Sequence, residues 1–292
     1  MGPSILNYDK NGSGYNFFIQ GFGRKNIRQR LVERFPFEKT SEKFLNNEAY
    51  KFNSGSDTIS LYQTDSELIF SDNIGKEIEA DIMIFASKHR SKENTKSFAV
   101  HAIGNWNKAE TGGKEKTLCL SSSHTMKKLL VHLNENFDAM KSDNSQLDGY
   151  ELTMEATHHG PHVEKPAAFV EIGSTEQEWT DPINGELIAK TILDSLSDEE
   201  NNFKSAIGIG GPNYCSNFNK IMFRTGIAIS HVCPKYMLQF LDEGILKQAI
   251  DKTKEKIDFA VLDWKGLGTG KQRIVEIINN TNLEYRRTDK LK

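Results

Sequence analysis

Glu155-Ala156-Thr157-His158-His159-Gly160-Pro161-His162 packs three of the chain's eight histidines into five positions, directly behind the alternating run from Tyr150 to Thr157. Alternation of that kind predicts a strand, and the Gly-Pro pair then bends the chain. A second strand-like run follows at Phe169-Val170-Glu171-Ile172-Gly173 and carries a carboxylate. Imidazoles closing one strand beside a carboxylate on another are raw material for metal-assisted or acid–base chemistry. Consecutive residues on a strand face opposite sides, so His158 and His159 can act together only if they lie in the bend.

Working outward, the order from about residue 80 is strand then helix, repeated. Apolar strands are predicted at 81–86, 98–101, 167–172, 206–209, 227–231, 259–263 and 283–286. Helices are predicted at 176–196, 213–225, 236–252 and 271–280, and another after the cap offered by Ser121-Ser122-Ser123. That last helix carries Met126, Leu129, Leu130, Leu133 and Phe137 on one face, with Lys127 and Lys128 opening the other. Pro182 requires the helix over 176–196 to rearrange or restart. This pattern predicts an α/β fold with a mainly parallel or mixed central sheet flanked by helices. Residues 1–79 read as an N-terminal elaboration packed on a main domain spanning 80–292, the two forming one compact unit. Within it come a short strand at 15–19, a helix over 24–35, a polar irregular stretch over 40–56 and a small hairpin over 58–70.

Bulk properties narrow the function classes. A formal net charge of −3 over 292 residues excludes a polycation, so a nucleic-acid partner needs local basic patches. Lys88-His89-Arg90, Lys114 with Lys116, Lys127-Lys128 and the Arg286-Arg287 tail supply such patches, although most charge runs are solvated faces. The three cysteines form no CxxC pair, as expected in a reducing compartment. No apolar run reaches membrane-span length, and the first residues do not read as a signal peptide. A soluble cytoplasmic protein, monomeric or a small homo-oligomer, is expected.

Ligands in open α/β sheets bind at the carboxyl ends of strands. Here those ends carry His101, His158 with His159, Glu171, His231 and Asp263, and Ile209 runs into the Gly210-Gly211 turn. A parallel sheet would gather several of them in one crevice, and antiparallel neighbours would scatter some. Each taken alone has a plainer reading: His101 or His231 as a packed histidine, Glu171 as a solvated strand end, Asp263 as a turn former, Gly210-Gly211 as a tight turn. The histidine cluster resists that reading. Zinc is open to it, and so is metal-free catalysis by a histidine base. The Lys108–Lys116 loop, rich in Gly and Lys, is expected to be mobile.

These stretches together resemble the archaeal and plant type of D-aminoacyl-tRNA deacylase. Glu155 to Pro161 and Phe169 to Trp179 carry the resemblance most specifically. Ser87 to Ser91, His101 to Asn105, Gly210-Gly211, His231 to Tyr236 and Asp263 to Leu267 add to it, over roughly residues 80–270. At position 162 the family carries a small hydroxyl residue where this chain has His. The resemblance implies hydrolysis of the ester joining a D-amino acid to the tRNA 3′ end, a zinc cofactor, and a fold with kinship to peptidyl-tRNA hydrolase and nucleoside phosphorylases. Carried over residue by residue, it implies His158, His159 and Glu171 as catalytic and His158, His159 and His231 as zinc ligands. It further implies that His101, Asn105, Lys88, Arg90, Gly160, Pro161, Gly210 and Gly211 contact the substrate. Rival readings are a related metal-dependent amidase, a peptidyl-tRNA hydrolase or phosphorylase-like enzyme, and a module that holds aminoacyl-tRNA without cleaving it.

Overall fold

The computed structural model describes residues 14–20, 22–54, 57–90 and 94–291. In chain order the first strands and helix are β1 (Gly14–Gln20), α1 (Phe22–Arg34), β2 (Glu38–Phe44), β3 (Asn47–Ser54) and β4 (Asp57–Thr64). Then come β5 (Ile82–His89), β6 (Ser97–Ala102), the two-residue strands β7 (Gly104–Asn105) and β8 (Thr117–Leu118), α2 (Ser123–Lys141) and β9 (Glu151–Met154). The remainder is β10 (Ala167–Gly173), α3 (Glu176–Thr180), α4 (Pro182–Ser197), β11 (Lys204–Ile209), α5 (Ser216–Arg224), β12 (Ile227–Cys233), α6 (Glu243–Asp251), β13 (Phe259–Leu262), α7 (Lys271–Asn280) and β14 (Tyr285–Arg287).

Eight strands form a mixed sheet in the order β2-β3-β4-β1-β5-β10-β6-β9, and four form an all-parallel sheet, β12-β11-β13-β14. The expected α/β architecture with a mixed sheet is therefore present. The division at residue 79/80 runs through the larger sheet, because β1 pairs with both β4 and β5. The N-terminal segment supplies half of that sheet. Of the stretch over 40–56, the described residues 40–54 are a strand pair rather than irregular, and 55–56 lie outside the described residues. Its strand β2 is an edge strand of exposed charged residues, so it lacks the apolar period that marks a strand in sequence and is held by backbone pairing, with a charged edge that discourages further pairing. Residues 68–70 form a 3-10 turn, not a second hairpin arm.

Side-chain alternation divides the larger sheet into two faces. Ile82, Ile84, Ala86, Phe98, Val100, Ala168, Val170 and Ile172 join the main core with the stripes of α1, α2 and α4. That core includes the predicted Met126, Leu129, Leu130, Leu133 and Phe137, and Ile27 with Leu31. Each such side chain contributes roughly 1.5–3 kcal/mol on burial. The intervening residues, Met83, Phe85 and Phe169 among them, face the other way. The caps follow the sequence closely. Ser122 accepts from Thr125 N at the start of α2, and Thr175 forms a capping box with Glu178. Pro182 splits the predicted 176–196 helix in two: it occupies the first turn of α4, where its missing N–H costs nothing, behind the Asp181 cap. The predicted 236–252 helix is likewise a 3-10 segment over 235–240 followed by α6, which Asp242 caps.

Lys127 and Lys128 do not open a solvated face. The Lys127 ammonium donates to the carbonyls of Met222 and Thr225, and that of Lys128 to the carbonyl of Asp198 and to Asn201 Oδ1. Both satisfy carbonyls where α5 and α4 end, a position that the helix dipole favours for cations. They are therefore not a phosphate patch.

Candidate active site

The face of the larger sheet opposite α2 and α4 carries a buried polar cluster. Strand register explains its membership. Residues 85, 87 and 89 of β5 share a face with 169 and 171 of β10, with 99 and 101 of β6, and with 153 of β9, because paired residues on neighbouring strands point the same way. Phe169 pairs with His101, and their rings stack at 5.1 Å with 5° between planes. Glu171 pairs with Ala99, whose small side chain leaves room beside the carboxylate. Strand β6 runs antiparallel to β10. The expected crevice at parallel strand ends is therefore replaced, in this sheet, by convergence on a face.

His101, His158 and His159 stack around one another, with ring centroids 4.2, 4.8 and 4.3 Å apart. One nitrogen from each ring lies within 4.8 Å of the others. Ile103 bridges to His158, which brings the histidine turn alongside the end of β6. His159 adopts φ 44°, a left-handed conformation uncommon outside glycine. The bend anticipated from Gly160-Pro161 thus begins at His159 itself, and it is this strained geometry that aims the ring at His101.

In all three rings Nδ1 faces a main-chain carbonyl: Ala102 at 3.1 Å, Ala156 at 2.7 Å and Gly160 at 2.6 Å. A carbonyl only accepts, so Nδ1 carries the proton of each neutral ring and Nε2 keeps its lone pair. Nε2 of His101 is buried with no hydrogen-bond partner and stands 3.7 Å from Glu171 Oε2. Nε2 of His158 stands 3.5 Å from Glu155 Oε2. Lone pairs facing carboxylates across such gaps could share a cation. Three neutral imidazoles, each oriented by a carbonyl behind it, are a donor set that fits zinc.

His89 links the two carboxylates, with Nδ1 3.4 Å from Glu171 and Nε2 3.6 Å from Glu155. Burial depresses the His89 pKa, but the hydrogen bond to Glu171 and the charges of Glu155 and Glu171 outweigh it and raise the value to about 9. Burial pushes Glu171 upward, yet the close approach of His101 and His89 holds it well below the carboxylate range. Glu155, with no exposed surface, shifts upward because desolvation exceeds the pull of His89. Burial, followed by the proximity of the His101 ring, lowers His159 to about 4, and burial drives His158 well below its ordinary value.

These shifts set a stability profile for the metal-free protein. A raised histidine contributes stability that is complete below the ordinary value of 6.5 and is lost as pH rises through about 9. Lowered histidines act in the opposite sense, their penalty growing as pH falls from 6.5 through about 4. Glu171 contributes stability above the ordinary 4.5 that is lost on further acidification. The melting temperature is expected to be highest near pH 6.5, to fall on acidification, and to fall between roughly pH 6.5 and pH 9 before levelling off. In His89→Gln that alkaline fall should disappear; its persistence would contradict this assignment.

His89 and Glu155 are the members that the sequence reading left without a role. Their signal was phase. His89 continues the 85-87-89 alternation, and Glu155 the 153-155 alternation, on the face that carries His101 and Glu171. Lys88 takes the opposite phase. It pairs with Ile172, and its ammonium lies 5.1 Å over Trp179, with Arg90 5.9 Å from the same ring. Both stand across the sheet from the imidazoles. His231 does not join the three rings either. Its Nδ1 meets Thr157 Oγ1 at 3.3 Å, and its ring is fully buried beside the backbone of Lys252 and Cys119. The third ring beside His158 and His159 is that of His101. His162 faces away as well: its N–H donates to Asp72 at 2.7 Å, and its ring stands near Cys119.

Asn105 holds a loop: its amide donates to the carbonyls of Gly112 and Lys114 at 2.9 and 3.3 Å. The Gly- and Lys-rich loop expected to be mobile is thereby pinned, and Gly160 N closes it onto Thr111 O at 3.1 Å. A Cβ on Gly160 would meet Gly113 N and Ile69 O at 2.3 Å, so backbone packs directly on backbone there. Gly210 and Gly211, at φ 97° and 81°, turn the chain over Asp263 at the carboxyl edge of the smaller sheet. Helix α5 begins only at Ser216. The positive φ values and Pro212 prevent that turn from opening a helix directly, and its link to the cluster is Asn213, whose amide reaches Glu155 Oε2 at 3.4 Å.

Among the described residues no helix is long and apolar enough to cross a membrane. A sequence model described as D-aminoacyl-tRNA deacylase matches residues 76–286. The chain is 35% identical over 268 residues to a D-aminoacyl-tRNA deacylase of Pyrococcus furiosus, covering 89% of this chain and 94% of that protein. It is 38% identical over 269 residues to the protein of the same name from Thermococcus onnurineus, with the same coverage. A crystal structure of a conserved protein of unknown function superposes with a TM-score of 0.84 at 30% identity, covering 96% of this chain and 97% of that one.

Proposed function

The chain belongs to the D-aminoacyl-tRNA deacylase family, and from that premise we propose how its imidazole–carboxylate face hydrolyses the ester of D-aminoacyl-tRNA to free tRNA and D-amino acid. The observation that carries the reading is the convergence of three carbonyl-oriented imidazoles with two buried carboxylates on one sheet face. His101, His158 and His159 would hold zinc through Nε2. Zinc in such a site supplies Lewis-acid chemistry toward an ester carbonyl.

The chain's own groups divide the remaining work. With the imidazole lone pairs committed, proton transfer falls to a carboxylate. Glu171 is held low by its histidine partners, which makes it a weak base and a good fixed anion: it orients His89 and supplies negative charge beside the three imidazoles. Glu155 is raised by burial, and a base works best when its pKa lies near the operating pH. Glu155 takes a proton from the attacking water and returns it to the ribose oxygen as the ester C–O bond breaks. Protonated His89 beside it offsets the negative charge. The side chains of His158 and His159 are half-buried, so the substrate enters from their side. Gly160 packed on Gly112-Gly113 forms a backbone wall continued by Pro161, and we assign rejection of L-substrates to that wall. A charged-tRNA substrate supports a cytoplasmic location, which we propose for the protein.

The test is a paired assay on D- and L-tyrosyl-tRNA, before and after chelation, with metal analysis of the purified protein. Release of D-tyrosine that stops on chelation and returns with zinc is expected, with the L-ester spared. Equal cleavage of both esters would remove the wall's role. Full activity in metal-depleted protein would remove zinc.

A further inference from the structure

The four parallel strands of the smaller sheet end on one edge, the edge at which open sheets bind ligands. Along it stand Tyr236 after β12, the Gly210–Asn213 turn after β11, Asp263 and Trp264 after β13, and Arg287 closing β14. Neighbouring strands are about 4.8 Å apart, so the row spans roughly 14 Å. One end of the row touches the catalytic cluster: Tyr236 OH donates to Asn213 Oδ1 at 3.1 Å, and Asn213 donates to Glu155 at 3.4 Å. The other end opens into a cleft of about 590 Å³ lined by Lys220, Arg224, Trp264, Lys265 and Arg287.

The charge there is unbalanced. Asp263 Oδ2 accepts from Asn217 at 3.0 Å, and Asp289 pairs with Arg287 at 2.8 Å. Lys220, Arg224 and Lys265 have no acidic partner among the described residues. The aromatic rings are accessible: Tyr236 is 47% exposed, and Trp264 is half-buried, with the Arg287 guanidinium 4.5 Å from its ring centre. Free cations beside aromatic rings suit single-stranded nucleic acid, whose phosphates and bases offer partners for both. An acidic peptide would use the cations and leave the rings idle.

The geometry points to this edge as a track for the single-stranded 3′ end of the tRNA. The terminal aminoacylated ribose lies at the cluster, and the preceding nucleotides run past Tyr236 and the glycine turn into the cleft. This rests on the deacylase reading above. It separates chemistry, on the face of the larger sheet, from grip on the RNA, on the edge of the smaller one.

The experiment compares two D-tyrosyl esters, one on full-length tRNA and one on adenosine alone, with wild type and the triple variant Lys220→Ala/Arg224→Ala/Lys265→Ala. All three residues are exposed. The ratio of kcat/KM for the tRNA ester to that for the adenosine ester is expected to fall roughly 10–100-fold, carried by KM. The slope of log(kcat/KM) against log salt for the tRNA ester should become shallower by about 2, the share of three phosphate contacts to single-stranded nucleic acid. Trp264→Phe should keep more of the ratio than Trp264→Ala. An unchanged ratio with an unchanged slope overturns the track. Wild-type protein that cleaves neither ester defeats the deacylase reading, and the track falls with it.

Discussion

Replacing His159 by Ala is expected to lower kcat/KM for D-aminoacyl-tRNA by roughly a thousandfold, the upper range for losing one group that stabilises developing charge. The ring of His159 contacts both His101 and His158, so its removal opens the three-nitrogen set and lowers bound zinc together with rate. Alanine accommodates φ 44° no better than histidine. The backbone cost is therefore shared by the two proteins, and the loss of activity should not be accompanied by unfolding. The measurement is single-turnover cleavage beside zinc stoichiometry and a melting curve. Turnover near wild type would remove His159 from the mechanism. Lost turnover with full zinc would move it from ligand to another role.

The second large effect is expected at Glu155. Glu155→Gln keeps the shape and the amide contact to Asn213 but cannot take a proton. A fall in kcat of roughly 10²–10⁴-fold is expected, the range for general acid–base catalysis, with KM and zinc content near wild type. The variant also tests the partition between the two carboxylates. Glu171→Gln should act mainly through His89 and His101, by removing the anion that faces them both. If Glu155→Gln retains full kcat while Glu171→Gln abolishes it, the assignments exchange and the base is the low-pKa carboxylate.

Both predictions depend on residues that the sequence revealed unequally. His158 and His159 stood out because three imidazoles within five positions behind an alternating run have no routine structural use. Glu171 stood out as a carboxylate inside an apolar strand. His89 and Glu155 did not. One sits among cations that read as a surface patch, and the other precedes the histidines it serves. Only the register of β5, β10, β6 and β9 shows that positions 89, 101, 155 and 171 share a face. His231 illustrates the reverse. A histidine near a strand end is chemically eligible, but β12 belongs to the other sheet, and its ring packs against Thr157 and the backbone.

Local chemistry determined the elements of this protein: the Ser122 cap, the apolar stripe of α2, the Thr175–Glu178 box, the Pro182 restart and the bend after His159 all follow from side chains within a few residues of one another. Strand partnership could not be read that way. The insertion of β1 between β4 and β5, the reversed direction of β6 and the placement of β12 outside the larger sheet are settled by backbone hydrogen bonds between segments far apart in sequence. Those bonds carry no side-chain signature. They also decide which alternating residues face one another, so the chain announced its reactive groups, and pairing alone chose which of them meet.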